Sequence, residues 1–323
     1  MDALARLSGV QCHQDEPLRQ HTRFGIGGPA RWLIDISSQA SFVEAVRALN
    51  AAAAPFLVLG GGSNLVVSDA GVDTVVLRFA GKALHIEGDL LTVESGAVLQ
   101  DVVDASIVAG LAGLHTMTGI PGWVGGAVYG NAGAYGHSIH EFVREVVLID
   151  GAEVRTIDNS ACEFAYRESI FKRRKDWIIL ATTLQLLPGD SIALAAKAHE
   201  IRSIRDAKYP PTMRCAGSIF KNLLFRDLPP AVQSQVPPSL VREGKVPAAW
   251  FLEQVGAKGL RFGDIQVADY HANLIYNDGE GTATDVRRAT AELKARVDAR
   301  FHFQIEEEVQ YVGFATGGGA GAV

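Results

Sequence analysis

Apolar and polar positions alternate along this chain in short runs that predict strands and helices in mixed order. Residues 31–36, "RWLIDI", have the pattern of a strand. In the segment that follows, Phe42, Val46 and Leu49 recur at helical spacing behind a serine cap. "PFLVLG" at 55–60 then predicts a buried strand. Together these segments predict a β-α-β unit that ends at three consecutive glycines.

The rest of the chain continues this mixture of patterns. Alternation around turn residues predicts hairpins at 83–97 and 144–158, the first turning at Gly88. A helix that begins near residue 191 is expected to stop at Pro210. Further predicted helices cover 99–114, 247–256 and 282–301, and further extended segments cover 64–69, 73–80, 177–189, 272–278 and 306–314.

The mixed order of strands and helices predicts the α+β fold class, with a boundary near residues 188–208. The 323 residues are enough for two domains of ~150 residues each. Subdivision of the first half gives units at 1–80, 81–190 and 191–314. The tail at 315–323, "ATGGGAGAV", has nothing to bury, and we expect it to be disordered.

Composition narrows the class of protein. Hydrophobic residues make up 48% of the chain, enough for a packed core. A formal net charge of −6 argues against a nucleic-acid or anionic-membrane surface. Cys12, Cys162 and Cys215 form no C-x-x-C pair, which argues against a disulfide framework or a metal site. With no signal-peptide core and no apolar run of ~20 residues, the expectation is a cytoplasmic protein.

Three glycines, Gly60, Gly61 and Gly62, separate two apolar runs and form what we call the first glycine loop, residues 60–64. Such loops often hold phosphates through backbone N–H groups. The sequence fits neither a Walker loop, because no lysine follows Gly62, nor the dinucleotide fingerprint, because extended chain follows instead of a helix. A tight loop without a ligand therefore stays an equal alternative here.

A second glycine loop, residues 118–136, changes that balance. It contains seven glycines, with Asn131 and Tyr135 between them. A structural loop rarely needs so many residues without a Cβ, whereas a large flat ligand lying along the backbone does. Two such clusters about sixty residues apart suggest a long cofactor held at its pyrophosphate by one or both loops.

Seven motifs now make a resemblance recognisable, each weak alone but specific in this order. They are "TRFGIGGPA", "LGGGSNLVVSD", "GIPGWVGGAVYGNAGAYG", "FAYRESIFK", "GSIFKN", "HANLIYN" and "EEEV". Over about residues 20–313 the chain resembles the UDP-N-acetylenolpyruvoylglucosamine reductases. These flavoenzymes of peptidoglycan precursor synthesis reduce an enolpyruvyl ether to a lactyl ether.

The resemblance implies a fold and a reaction. The fold is a p-cresol methylhydroxylase-type FAD-binding region of two α+β subdomains, at 1–80 and 81–190, with a C-terminal substrate-binding domain at 191–314. NADPH is the co-substrate: its hydride passes through FAD to C3 of the UDP-sugar, and a proton is added at C2. Ser63 stands where some relatives of the flavin fold link FAD covalently through His or Cys, so we expect non-covalent FAD.

The resemblance also implies the residues that bind FAD. They are Gly60, Gly61, Gly62, Ser63, Asn64, Gly119, Ile120, Pro121, Gly125, Gly126, Asn131 and Gly133.

Three catalytic residues are implied in the same way. Arg167 would neutralise the substrate carboxylate, since a guanidinium can grip two oxygens at once. Ser218 would give the proton to C2, with Lys221 helping to polarise its hydroxyl. Glu308 would assist the enol intermediate as a protonated carboxyl. Without the resemblance, these positions would be an ordinary loop arginine, a turn serine and a solvated carboxylate.

Substrate contacts are implied less directly. The positions are Tyr135, Tyr166, Lys208, Lys221, Asn222, Lys258 and His271, and the lysines suit a diphosphate. Two features depart from the family pattern. Leu223 stands where proline is common, and the short segment between residues 177 and 208 lacks a tyrosine-bearing substrate loop. The chain therefore looks like the shorter subtype of the family.

Two other functions stay open at this point. One is a flavin oxidase that passes electrons to O₂, and the other is a catalytically silent nucleotide-binding module. Partners are expected to be the UDP-sugar and NADPH alone, with no nucleic acid, membrane or metal. A monomer is favoured, although the sequence does not show the oligomeric state.

Overall fold

The first sheet holds the N-terminal quarter of the chain in this computed structural model, which describes residues 4–314. Its strand order is β1-β2-β5-β3, with β2 and β3 both parallel to β5. The elements of this part of the chain are β1 (Val10–Pro17), β2 (Pro29–Ile36), α1 (Gln39–Ala51), β3 (Phe56–Val58), β4 (Leu65–Val67), which is not part of this sheet, and β5 (Val72–Phe79). Helix α1 begins as expected at Ser38, whose side chain accepts a hydrogen bond from the Ser41 N–H.

The second sheet is antiparallel throughout, in the order β12-β11-β13-β7-β6. Its region contains β6 (Leu84–Glu87), β7 (Leu90–Glu94), α2 (Leu99–Val108), β8 (Leu111–Ala112), α3 (Val124–Tyr129), β9 (Gly133–Ala134), β10 (His137–Ser138), β11 (Val143–Asp150), β12 (Glu153–Asp158), α4 (Ile170–Arg173), β13 (Trp177–Gln185) and β14 (Leu187–Pro188). Ile149, Ile178 and Leu180 of this sheet are buried in the same cluster as α1. The first two sheets therefore share apolar surface.

The third sheet, in the order β15-β20-β19-β18, lies in the C-terminal part of the chain. The elements there are α5 (Ser191–Lys208), β15 (Cys215–Ser218), β16 (Leu223–Leu224), α6 (Pro230–Gln233), β17 (Lys245–Val246), α7 (Ala248–Gln254), β18 (Arg261–Phe262), β19 (Ile265–Ala268), β20 (His271–Asn277), α8 (Ala283–Phe301) and β21 (Gln310–Val312). Val286, Leu293 and Val297 of α8 bury their side chains in the core of this region. That core also takes in Phe24 and Val66 from the N-terminal region.

Short 3₁₀ helices connect many of these elements. They occupy Leu4–Arg6, Leu18–His21, Leu114–Met117, Ile139–Glu141, Ser160–Cys162, Phe225–Asp227 and Pro238–Leu240.

The chain returns to its N-terminal region at its last strand. β21 pairs in parallel with β4, so Gln310 lies opposite Leu65. The Asp69 carboxylate, just after β4, accepts hydrogen bonds from the N–H groups of Ala283 and Thr284 at the start of α8. These two ties connect the first and last parts of the fold. The boundaries at residues 80 and 190 fall between the sheets, and their division into domains stays a prediction.

Most predicted helices and strands are confirmed, including both hairpins and the end of α5 at Lys208, before Pro210. The extended segment predicted at 306–314 is wrong in its length, because only Gln310–Val312 has a partner strand. The acidic residues before it make a single isolated bridge, between Phe220 and Glu307. The tail at 315–323 lies outside the described residues.

Two searches of residues 4–314 bear on ligands and membranes. No helix in this part of the chain has the length and apolar character needed to cross a bilayer. No group of three or more His, Cys, Asp or Glu side chains there could hold a metal ion.

We expect Asp69→Ala to lower the free energy of unfolding by about 1 kcal/mol, because it removes a carboxylate cap from the start of α8. Urea unfolding of the FAD-loaded protein measures this. The control is Asp73→Ala, which removes an exposed carboxylate that lies 3.6 Å from Arg31, and should change stability by less than ~0.5 kcal/mol. Equal effects of the two substitutions would contradict the capping role.

Candidate active site

The first glycine loop has two glycines that neighbouring protein atoms require. A Cβ at Gly61 would lie 2.9 Å from Cδ1 of Trp123. At Gly62, where φ is +63°, it would overlap the carbonyl oxygen of His21. A Cβ at Gly60 would meet only open space. The sequence interpretation assigned all three to a ligand, whereas the structure gives protein causes for Gly61 and Gly62.

The backbone N–H groups of residues 60–64 are free to bind a ligand. Within the described part of the chain, none of them donates a hydrogen bond to a protein acceptor. Buried or partly buried N–H groups normally have partners, so a row of free ones is typical of an anion site. The Ser63 side chain packs against Gly122, which brings the two glycine loops into contact.

A cleft that is open to solvent lies between the first two sheets. Its lining joins the two loops and the strands behind them: Val58, Leu59, Gly60, Phe79, Ser95, Trp123, Gly125, Gly126, Tyr129, Trp177, Ile178 and Ile179. A Cβ at Gly60 or Gly126 would meet no protein atom within 4 Å, so both glycines leave room in the cleft. Its aromatic and glycine lining fits a flat ring system such as that of FAD.

Several backbone N–H groups of the second glycine loop donate hydrogen bonds to acceptors within the protein. Gly119 donates to the side chain of Gln100, and Ile120 donates to the Met117 carbonyl. Gly125 donates to the Ser95 carbonyl. These three N–H groups are therefore unavailable to a cofactor, although Pro121 and the glycines still allow it to approach closely.

Two arginines of α5 lie against this loop. A Cβ at Gly119 would lie 3.1 Å from Nε of Arg205 and 3.4 Å from Cδ of Arg202. Burial lowers the pKa of the Arg205 guanidinium, although an arginine stays charged at neutral pH. Its Nε is buried without a hydrogen-bond partner among the described residues. This partly buried cation suits an anionic group of a bound ligand.

Arg167 extends from a four-residue turn, residues 165–168, closed by hydrogen bonds in both directions between Ala165 and Glu168. Its φ of +57° is in the left-handed region, which is unfavourable for residues other than glycine. Nε donates to Glu308 Oε1 at 2.7 Å, and Nη2 donates to the Gly133 carbonyl at 2.9 Å. The side chains of Arg167 and Glu308 are only 23% and 18% exposed, which limits solvent screening of this pair.

Glu308 connects this arginine to two other parts of the site. Its N–H donates to the Ile219 carbonyl at 2.7 Å, beside Ser218. Its own carbonyl accepts a hydrogen bond at 3.1 Å from the Asn64 amide of the first glycine loop. The structure therefore brings both glycine loops, Arg167 and the serine segment to one place.

Ser218 ends strand β15 after a bulge at Gly217, whose φ is +79°. Asn273, 2% exposed, fixes the following residues by bonding Phe220 N–H and C=O through its side-chain amide. The Ser218 hydroxyl lies 3.2 Å from the hydroxyl of Tyr209.

Lys221 does not bond the serine in this arrangement. Its Nζ donates to Glu168 at 2.8 Å and to Glu306 at 2.7 Å. Burial opposes its charge, but these two carboxylates raise its pKa above the usual value. The neighbouring Lys172 has a lowered pKa, chiefly because it is buried. The predicted polarisation of the Ser218 hydroxyl by Lys221 is therefore not supported by a direct hydrogen bond among the described residues.

The candidate substrate residues lie in two groups. In the first, the Tyr166 hydroxyl accepts a hydrogen bond from the Asn222 N–H, and Lys245 lies 4.7 Å from the Tyr166 ring centre. Asn222 in turn accepts through its side chain from the Ala248 N–H.

The second group surrounds the start of β20. Lys208 lies 5.1 Å from the ring centre of Tyr209, which in turn lies 6.4 Å from His271. Lys258 is partly exposed and paired with Glu253 at 2.9 Å.

Tyr135 is half exposed, with a φ of +55°. Asn131 is buried and uses its amide within the protein, donating to the Ala165 carbonyl.

Sequence reasoning missed three residues that the structure places here, Tyr209, Arg205 and Asn273. Asn273 lies within the quoted "HANLIYN" motif, and a polar residue inside an otherwise apolar strand pattern was the available signal. Tyr209 and Arg205 follow no pattern that separates them from ordinary helix residues, because their contacts with Ser218 and Gly119 depend on how α5 packs.

Comparison with known proteins gives consistent matches. Residues 209–312 match the family described as UDP-N-acetylenolpyruvoylglucosamine reductase, C-terminal domain, and residues 31–157 match the FAD binding domain family. A protein of Solibacter usitatus named UDP-N-acetylenolpyruvoylglucosamine reductase is 56% identical over 310 residues, covering 96% of this chain and 99% of the relative. One of Syntrophus aciditrophicus with the same name is 37% identical, covering 93% and 91%.

A solved structure agrees over nearly the whole fold. The crystal structure of UDP-N-acetylenolpyruvylglucosamine reductase from Thermus caldophilus superposes with a TM-score of 0.73 at 29% identity. The match covers 94% of this chain and 98% of that one.

We expect His271→Gln to flatten the acid limb of the stability curve. Burial and the nearby Lys208 lower the pKa of His271 to about 4, and Glu253 partly offsets them. The unfolded chain then binds one more proton than the folded chain between about pH 6.5 and 4, so native stability falls on acidification through that window.

Urea unfolding at several pH values measures the slope, with exposed His85→Gln as the control. A slope unchanged by His271→Gln would contradict the lowered pKa.

Proposed function

The chain belongs to the UDP-N-acetylenolpyruvoylglucosamine reductase family, and we propose that it reduces the enolpyruvyl ether of UDP-N-acetylglucosamine to UDP-N-acetylmuramate with NADPH. It is an FAD-dependent oxidoreductase of peptidoglycan precursor synthesis with the α+β fold of that family. We place it in the cytoplasm, where its UDP-sugar substrate and NADPH are available. The observation that carries the proposal is the Arg167–Glu308 pair joining both glycine loops to the serine segment.

The residues of the cleft fit FAD. The free N–H groups of residues 60–64 would hold its pyrophosphate, and Gly60 and Gly126 leave space for its rings. Arg205 adds positive charge beside Gly119. Bound FAD supplies the two-electron hydride chemistry. With Ser63 at the first loop, the attachment is non-covalent.

Arg167 binds the substrate carboxylate. Nε and Nη2 are held by Glu308 and the Gly133 carbonyl, and Nη1 makes only a long contact of 3.5 Å to the Asn131 carbonyl. A guanidinium with five N–H donors keeps others available for a ligand. Because charge moves onto the carboxylate when hydride reaches C3, this fixed cation stabilises the product of that step more than the substrate.

Ser218 donates the proton to C2. A serine hydroxyl is a weak acid, but an enolate-like dianion is a strong enough base to take its proton. The bulge at Gly217 and the amide of Asn273 hold this segment in one position. Glu308 lies beside it, orients Arg167 and would assist the enol.

The UDP group would bind along the residues that flank the serine. Tyr166, Asn222 and Tyr135 offer hydroxyl and amide groups, while Lys208 and Lys258 offer charge to the diphosphate. His271 lies beside Tyr209 and Lys208 in the same region. Lys221 would act by fixing Glu168 and Glu306 rather than through Ser218.

Ser218→Ala should lower the rate of enolpyruvyl-sugar reduction by about 10²-fold or more, because it removes the proton donor. Bleaching of the flavin by NADPH should stay nearly unchanged, since that step needs no proton at C2. Stopped-flow absorbance separates the two half-reactions. Equal loss of both in a folded variant would contradict the role of Ser218.

Arg167→Lys should lower kcat/KM for the sugar about tenfold or more. The ammonium of lysine cannot reproduce the planar guanidinium, which donates to Glu308 and to the Gly133 carbonyl at the same time. Flavin reduction by NADPH should be spared. The matched control is Arg173→Lys, at an exposed arginine paired with Glu163. A kcat/KM unchanged by Arg167→Lys, or lowered as much by Arg173→Lys, would count against the carboxylate site.

The visible spectrum of the purified protein tests the function as a whole. For a reductase we expect a flavin band near ~450 nm that NADPH bleaches under anaerobic conditions. The enolpyruvyl sugar should then restore the band, whereas air alone should restore it slowly. Fast recovery in air without the sugar would indicate an oxidase. A protein that stays colourless with added FAD would indicate a silent binding module.

A further inference from the structure

The hydroxyl of Tyr209 is the hydrogen-bond partner of the Ser218 side chain. The two oxygens are 3.2 Å apart, and within residues 4–314 the serine Oγ has no other such partner. Tyr209 follows the last residue of α5, and its N–H caps that helix by donating to the Arg205 carbonyl. The serine is therefore held by a residue from outside its own sheet.

A serine that has given up its proton needs a source of another. No imidazole or carboxylate side chain bonds Ser218 within the described chain, so the usual partners of catalytic serines are missing. A phenol is a stronger acid than an aliphatic alcohol and can both donate to the serine oxygen and accept from it. Tyr209 is thus chemically suited to return the proton.

The surroundings of Tyr209 favour that step. Lys208 Nζ lies 5.1 Å and Arg205 Cζ lies 5.9 Å from the centre of the tyrosine ring. Both cations contact the ring and help to hold the phenol beside the serine. The residue is also partly exposed, so water can reach it.

We propose that Tyr209 is a positioning residue that orients the Ser218 hydroxyl and relays protons to it from solvent. Resting on the proposed function, this gives a balanced sequence. The Ser218 O–H bond breaks as its proton forms the C–H bond at C2, and the Tyr209 O–H proton passes to the serine oxygen. Water then returns a proton to the tyrosine oxygen, so the enzyme ends unchanged and solvent supplies the proton.

Tyr209→Phe tests the proposal, because it removes one oxygen and keeps the ring packing. We expect kcat for the enolpyruvyl sugar to fall about tenfold, the effect of one lost hydrogen bond in the transition state. KM for the sugar, binding of UDP-N-acetylmuramate measured by calorimetry and flavin reduction by NADPH should all change less than about twofold. The control is Tyr276→Phe, at a β20 residue whose hydroxyl makes no side-chain hydrogen bond within the described chain.

A double-mutant cycle with Ser218→Ala shows whether Tyr209 acts through the serine. In the Ser218→Ala background, Tyr209→Phe should have less than about a twofold effect. A tenfold loss in both backgrounds, or equal loss of product binding and flavin reduction, would indicate a structural role and overturn the proposal. So would an unchanged kcat in Tyr209→Phe alone. If the unaltered protein does not reduce the sugar, the proposed function fails as well as the role of Tyr209. If it does reduce the sugar, the results above test the role of Tyr209 alone.

Discussion

The ion pair between Arg167 and Glu308 is the contact on which the geometry of the site depends. Arg167 comes from the second sheet region and Glu308 from the end of the chain, and the two residues tie both glycine loops to the serine segment. Partial burial of both side chains reduces screening by water. Arg167 also holds a left-handed φ of +57°, a conformation of roughly 1–2 kcal/mol higher energy for a residue with a side chain. The fold tolerates that cost at a position from which the side chain reaches both Glu308 and the Gly133 carbonyl.

The glycine loops serve packing and binding together. Gly61 and Gly62 are required by Trp123 and His21, so protein contacts alone explain two of the three glycines that first suggested a ligand. A Cβ at Gly60 or Gly126 would meet no atom of the described residues within 4 Å, so these two glycines open the cleft instead. The loops therefore pack on each other tightly enough to fix the N–H groups of residues 60–64, which have no hydrogen-bond acceptor among residues 4–314. That combination of rigidity and free donors is what an FAD pyrophosphate needs.

Local structure was predictable from the sequence, because periodicity and turn residues act over a few positions. Helix α1 with its serine cap and the hairpin at Gly88 are examples. Ordered motifs identified the family and FAD, which the comparisons confirm. Side-chain contacts between different elements were not predictable: Tyr209 at Ser218, Asp69 at the start of α8 and the carboxylates around Lys221 depend on how the elements pack. The strand predicted at 306–314 was too long because the acidic residues before Gln310 make only an isolated bridge, between Glu307 and Phe220.

A crystal structure of the FAD-loaded protein with the enolpyruvyl sugar bound is the most direct test of this convergence. The expected result has the sugar carboxylate on Arg167 and C2 of the enolpyruvyl group within about 3.5 Å of the Ser218 hydroxyl, close enough for proton transfer. A sugar bound with its carboxylate away from Arg167, or with Ser218 out of reach of C2, would contradict it.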